Sequence, residues 1–414
     1  MILLKNCKYI VTQNNKREIL KNKDILIENN KIKDIGSFEN ADKIIDCSNK
    51  IVMPGLINCH THAAMTLFRG YGDDMNLQEW LENKIWPIEK KLDGEKIYWG
   101  SKLAIVEMIK TGTTCFNDMY FYMDKVAQAC VECNIRSVLS RGYIDNNYHK
   151  KINEMLEEIN KVKELNSDLI TLALGPHAIY TNSESSLKWF KEYSDKNDLL
   201  IHIHLSETKK EVEDCIKKHG KSPVKYLYDI GFLSHKVIAA HCVWLSEDDI
   251  KLLKQKNVSL VYNPASNMKL SSGIMPYHIL KELNVCLGTD GAASNNNLNM
   301  FEEMKIAALL QKVNKTPILL AAQEALDMAT INGAKALRIN AGSIEPGKLA
   351  DLIIIDLNRP DMIPLHNVVS NLVYSFDGDV DTVIINGKIV MYNKKLININ
   401  EQETFDKINS FKFY

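Results

Sequence analysis

Along the middle of the chain, short apolar runs alternate with stretches whose apolar positions recur at helical spacing. The runs are LINCHTH (56–62), TTCFND (113–118), RSVLSR (136–141), TLALGP (171–176), LLIHIHL (199–205), VIAAHC (237–242), VSLVYN (258–263) and VCLGTD (285–290). Between them lie helical patterns such as KINEMLEEINKVKEL and SEDDIKLLKQK. An apolar run bounded by turn residues reads as a strand covered on both faces, and strand–helix alternation reads as parallel β/α units. Eight such units predict an α/β fold, a (β/α)8 barrel of the TIM type over residues 56–344.

The ends follow a different rhythm. ILLKNCKYIVT, DILIENNKIKDIG and KIIDC near one end, and KLADLIIIDL and DTVIINGKIVMYN near the other, read as short strands, with hairpin turns at ENNKI and INGKI. They predict a small β-sandwich domain assembled from residues 1–55 and 345–414.

Composition narrows the function. A chain of 414 residues with 45% hydrophobic and 25% charged content can bury a large core. Its net charge of −1, without a long block of either sign, gives no electrostatic footprint for nucleic acid or an anionic membrane. The first residues, MILLKNCKYIVTQNNKRE, turn polar by Asn6 and contain neither a long apolar core nor a small-residue cleavage site. No long apolar run follows, so a cytoplasmic protein is expected. Nine scattered cysteines, an odd number, read as reduced thiols. Cys130 and Cys133 have metal-like spacing, but MDKVAQACVECNIR is periodic like a helix and no second pair accompanies them, so they read as helix packing.

His60 and His62 are the chemical starting point. Residues i and i+2 of a strand point to the same side, a geometry that suits one metal ion. Barrel chemistry sits at C-terminal strand ends, and other ligand-type residues end other runs: His177, His204, His241 and Asp290. The remaining loop and helix histidines, His149, His219, His235, His278 and His366, read as solvent-exposed. His202 shares a face with His204 but lies about 6.6 Å deeper at strand rise. His204 is therefore the expected ligand and His202 a hydrogen-bonded interior residue. Glu207, three residues past His204, would sit above the metal as a proton carrier.

Taken together, PGLINCHTH, HIHLSET, AAHC, NPASNMKLSSGIMP and LGTDGAASNNNLNMFEEMK resemble the amidohydrolase superfamily. With RGYGDDMNLQEWLENKIWPIEKKL, the more family-specific segment, the chain is similar to the 5'-methylthioadenosine/S-adenosylhomocysteine deaminase family, and GSIEPGKLADLIIIDL extends the resemblance into the terminal sheet. The resemblance implies that His60, His62, His204 and Asp290 hold one Zn²⁺ per subunit and leave room for a catalytic water. Related enzymes with two metals usually bridge them by a carbamylated lysine at strand 4; TLALGPHAIYT offers no lysine, which favours a mononuclear centre. It implies hydrolytic deamination of adenosine-type nucleosides to the 6-oxo product and ammonia. In such a site the metal would make water nucleophilic enough to attack adenine C6, and the resemblance implies that Glu207 would shuttle the proton, His241 polarise the attacking water and Asp290 accept its first proton.

By the same resemblance Glu89 binds the ribose hydroxyls and His177 contacts the purine. Arg141, one of six arginines, matches a substrate-binding arginine able to reach a 5' substituent. About a dozen residues further on, where some family members have a second arginine, this chain has Asn153 with Lys150 and Lys151 close by, and lysine does not replace a bidentate arginine. Smaller 5'-substituted adenosines, namely methylthioadenosine, 5'-deoxyadenosine and adenosine, gain weight over S-adenosylhomocysteine. GYGDDMNLQEW is expected to form a loop over the substrate, with Asp73 and Asp74 as solvated or capping charges and Trp86 in the core. The alternatives are a related amidohydrolase acting on a guanine- or triazine-type heterocycle, or a non-catalytic scaffold, which the retained ligand set and Glu207 argue against. The expected partners are a small-molecule nucleoside and further copies of the chain, with neither nucleic acid nor membrane.

Overall fold

The structure, a computed structural model, describes residues 1–145 and 148–412, the side chains of residues 148–150 excepted. His149 and Lys150 therefore lie outside the described side chains. Eight parallel strands follow one another in chain order around a barrel: β1 (Leu56–Thr61), β2 (Thr113–Tyr120), β3 (Arg136–Tyr143), β4 (Ile170–Pro176), β5 (Leu200–Leu205), β6 (Val237–His241), β7 (Ser259–Tyr262) and β8 (Asn284–Leu287). Each lies on one of the apolar runs, and helices such as Met123–Cys133, Glu184–Asn197 and Glu247–Gln255 connect them.

The circle closes just past β8. The Asp290 amide donates to the His60 carbonyl at 3.0 Å, and the Asn58 side chain bonds Thr289 through its N at 3.0 Å and its Oγ1 at 2.7 Å. A Cβ on Gly288 would come within 2.8 Å of the His60 backbone nitrogen, so this seam requires glycine. Beneath the seam, small and branched residues, among them Ile57, Cys59, Cys115, Val138, Val261 and Cys286, fill the barrel. Cys130 and Cys133 are buried on their helix, as expected of packing residues.

Both chain ends build the accessory layers. A four-stranded sheet (Lys31–Gly36, Lys23–Glu28, Ile2–Cys7, Lys43–Asp46) faces a seven-stranded sheet in which Tyr9–Val11 and Lys50–Pro54 join Leu352–Asp356, Thr382–Ile385 and Lys388–Tyr392. Leu4, Ile25 and Ile45 from the first sheet and Val52, Ile354 and Ile384 from the second share one core. The run ILLKNCKYIVT is thus two strands, broken at Lys8 where the chain passes from one sheet to the other. Arg136 at the start of β3 meets Asp351 at 2.8 Å in a buried ion pair that ties barrel to sheet. Among the described residues no helix is long and apolar enough to cross a membrane.

Candidate active site

The C-terminal ends of the strands bring most of the expected residues to one place. His60 lies near the end of β1 and His62 one residue past it, His204 lies near the end of β5, and His241 ends β6, while Asp290 lies three residues past β8. Each imidazole is tied at Nδ1. His62 Nδ1 donates to the Met119 carbonyl at 2.6 Å and His204 Nδ1 to the His177 carbonyl at 2.7 Å. His60 Nδ1 is 2.7 Å from Nε2 of His202, which is fully buried below the site, as its depth in the strand predicts.

This anchoring decides what the free nitrogens can do. A carbonyl only accepts, so His62 and His204 carry their proton on Nδ1, and burial holds His204 neutral by pushing its pKa well down. Their Nε2 atoms are nevertheless 3.2 Å apart. Two bare lone pairs facing each other at that distance repel unless a cation lies between them. His60 Nε2, buried and without a hydrogen-bond partner, is 3.3 Å from Asp290 Oδ1, and His62 Nε2 is 3.4 Å from the same oxygen. Asp290 Oδ2 accepts from Ser266 at 2.6 Å and Ser294 at 2.8 Å, which keeps Oδ1 turned to the histidines. Three neutral imidazoles and one carboxylate fit a divalent cation such as zinc.

His241 is held differently. Its Nδ1 accepts from Asn267 Nδ2 at 2.9 Å, with Asn263 Nδ2 at 3.3 Å. The ring proton then sits on Nε2, 3.7 Å from Glu207 Oε2, and burial lowers the His241 pKa to about 3. Glu207 is buried, and that burial, with Asp290 and Glu211 nearby, pushes its carboxyl well above the usual range. Glu211 accepts from the Ser206 and Glu207 amides at 2.8 and 2.9 Å, fixing the turn that presents Glu207. Ser206, His241 and Asp290 all have positive φ, so three of the site's turns are strained and are held by these bonds.

Above the cluster lies a cavity that opens between the strand ends and the segment after β1. His62, His177, His204, Glu207, His241 and Asp290 form its floor and Met65, Met119, Phe121 and Leu270 part of its wall. Residues 70–92 roof it, as expected of GYGDDMNLQEW, with Leu77, Trp80, Leu81, Ile85 and Trp86 facing inward. Trp86 is half-buried: it packs against the main core, as expected, and also lines the cavity. The roof helix widens at Leu81–Ile85, where Trp86 N–H reaches back to the Leu81 carbonyl; Pro87 next to it has no N–H to give. Glu89 at its end accepts from Tyr120 Oη at 2.8 Å, and burial raises its carboxyl to about 7. His177, lowered to about 3 by burial, sets Nδ1 3.1 Å from Thr181 Oγ1.

Arg141 is not among the cavity-lining residues. Gly142 of the same strand lines the cavity, so Arg141 points the other way, toward the helix Tyr148–Glu164, where its guanidinium meets Glu158 at 2.8 Å and Glu154 at 3.5 Å. No lysine or arginine lines the cavity among the described residues. Asp73 is paired with Lys269 rather than simply solvated. Of the histidines read as exposed, His235, His278 and His366 are so, while His219 is half-buried against Tyr226. Sequence reasoning assigned no role to Tyr120, Asn263, Ser266, Asn267, Ser272 or Ser294. The dense Asn/Ser content of NPASNMKLSSG was the available signal.

The model of the amidohydrolase family matches residues 51–390. A 5-methylthioadenosine/S-adenosylhomocysteine deaminase of Thermococcus sibiricus is 51% identical over 378 residues, 89% of each chain. A 5'-deoxyadenosine deaminase of Methanocaldococcus jannaschii is 48% identical over 420 residues, 98% of each chain. Among solved structures, an adenosine deaminase from Xanthomonas campestris with bound zinc superposes with a TM-score of 0.94 at 33% identity, covering 99% of this chain and 97% of that one. The chain belongs to the amidohydrolase family.

Proposed function

We propose that this protein hydrolytically deaminates adenosine-type nucleosides with uncharged 5' groups, using one zinc ion held by His60, His62, His204 and Asp290. The observation that carries the metal site is the facing pair of bare Nε2 atoms on His62 and His204, with His60 Nε2 and Asp290 Oδ1 converging on the same point. The absence of a lysine in β4 supports a single ion. When bound, zinc supplies Lewis acidity and makes water a nucleophile at neutral pH. The names of the relatives supply the substrate class.

The chain's own residues account for the proton traffic. Adding water to C6 of an adenine puts electron density on the ring nitrogen, so a proton must arrive there and another must reach the departing amine. Glu207, whose carboxyl burial pushes well above the usual range, has Oε2 3.7 Å from His241 Nε2 and is placed to give the first; it then takes up a proton from the attacking water and passes it to the amine, so that ammonia leaves and C6 keeps the oxygen. His241 directs its Nε2 proton at the developing oxygen charge. Glu89 accepts the ribose hydroxyls from the roof side and His177 meets the purine as a neutral ring.

The apolar wall and the engagement of Arg141 by Glu158 and Glu154 favour methylthioadenosine, 5'-deoxyadenosine and adenosine over S-adenosylhomocysteine, whose carboxylate would find no cation among the described lining residues. The test is steady-state deamination of these four compounds by zinc-loaded protein, followed by ultraviolet loss of the adenine chromophore and by ammonia release. The expected result is turnover with the zwitterionic substrate last. No turnover of any of them, with zinc bound, would reject the nucleoside reading.

A further inference from the structure

Past β7, beyond Asn267, a further side chain reaches the reaction centre without lining the cavity. Ser272 is buried, and its Oγ donates to Glu207 Oε1 at 3.0 Å. The other carboxyl oxygen, Oε2, is the one 3.7 Å from His241 Nε2. Ser272 is itself fixed by main-chain bonds on both sides. Its amide donates to the Asn267 carbonyl at 2.8 Å, and its carbonyl accepts from the Trp244 indole at 2.7 Å. Gly273 follows at φ +124°, where a Cβ would come within 2.9 Å of Val243, so the chain turns away immediately after the serine.

We infer that Ser272 is a positioning residue for proton transfer: by donating to Oε1 it assigns the transferable proton of Glu207 to Oε2, the oxygen on the His241 side. The inference rests on Glu207 being the proton carrier. The terminal carboxyl torsion of a glutamate is broad and roughly two-fold, so without a donor at Oε1 the two oxygens become interchangeable and the proton spends time facing the wall. An oxygen that accepts a hydroxyl proton in the plane of its lone pair is the poorer site for a second proton, which leaves Oε2 to carry it. The step needs no other reactant, because the serine keeps its own proton throughout.

Ser272→Ala removes the hydroxyl and leaves both main-chain anchors, so the loop stays in place. The expected result is a fall in kcat of about ten- to a hundredfold, the range for losing one strong hydrogen bond to an acidic group, with KM within twofold and zinc content unchanged. In a Glu207→Gln background the same substitution should cost nothing further. A kcat within twofold of the parent, or an equal additional loss in the Glu207→Gln background, overturns the inference. Full turnover by Glu207→Gln alone overturns the proton-carrier reading instead, so the two failures are distinguishable.

Discussion

The strand-end cluster and the roof over it, residues 70–92, meet the same cavity from opposite sides and are held in different ways. On the strand side, His60, His62, His204 and His241 are each tied at Nδ1 to a buried group of the barrel, and Asp290 is tied at Oδ2 by two serines. On the roof side, apolar faces of Leu77, Trp80 and Trp86 line the space, and polar links to the barrel rim run through Asp73 to Lys269 and Glu89 to Tyr120. The first arrangement sets protonation states and ligand directions to within a hydrogen bond. The second leaves the roof able to fit a substrate and release its product. Chemistry is therefore assigned to the rigid side and selection to the adaptable side.

The largest effect should come from reversing one anchor on the rigid side. Asn267→Asp replaces the amide donor at His241 Nδ1 with a group that only accepts. The ring proton is then drawn to Nδ1, and Nε2 turns a lone pair toward the developing oxygen charge. Losing one such preorganised donor lowers kcat by about 10²–10³-fold. Nitrogen NMR of labelled histidine would show the proton on Nδ1 in the variant and on Nε2 in the parent. A variant with the parent's kcat would mean that anchoring at His241 does not matter, and the contrast between the two sides would fail there.

A smaller effect is expected where the two sides touch. Burial raises the Glu89 carboxyl to about 7, against the lowering influence of the Tyr120 hydroxyl. If ribose binding needs the carboxylate, kcat/KM falls as pH drops through about 7. Tyr120→Phe removes a donor that favours the charged form, so the Glu89 pKa rises and the acid limb moves to higher pH. At neutral pH the loss should appear in KM with kcat preserved, and a limb that stays in place would disconnect Glu89 from substrate binding.

The same division explains what the sequence disclosed. That His60, His62, His204, His241 and Asp290 gather at one end of the barrel was legible because period two fixes the face of a strand and the barrel rule fixes its active end; which of them would hold a metal came from the family resemblance. The depth difference between His202 and His204 follows from strand rise alone, and His202 indeed lies beneath His60. Arg141 lies on the strand face opposite to Val138 and Gly142 and meets Glu158 there, a pairing that residue type alone does not disclose. Ser272, Lys269 and Tyr120 were not legible, because their partners lie far away in sequence on other loops. Only the closed barrel brings them together.

The mildest prediction concerns the roof latch. Lys269 reaches Asp73 on the roof and Asn296 Oδ1, the latter at 2.6 Å, on the loop after β8. The Lys269 and Asp73 side chains remain 22% and 38% exposed, so water and salt screen the pair. Ion pairs of this kind contribute about 0.2–1 kcal/mol, which corresponds to less than about a fivefold change in KM when Lys269→Met removes the latch. Because the lysine touches no reacting atom, kcat should stay within twofold. Raising ionic strength should weaken substrate binding by the parent toward that of the variant, while the variant responds less. A tenfold or larger rise in KM, insensitive to salt, would mean that the roof is held as firmly as the strand ends; selection would then depend on a fixed wall rather than on a segment that yields.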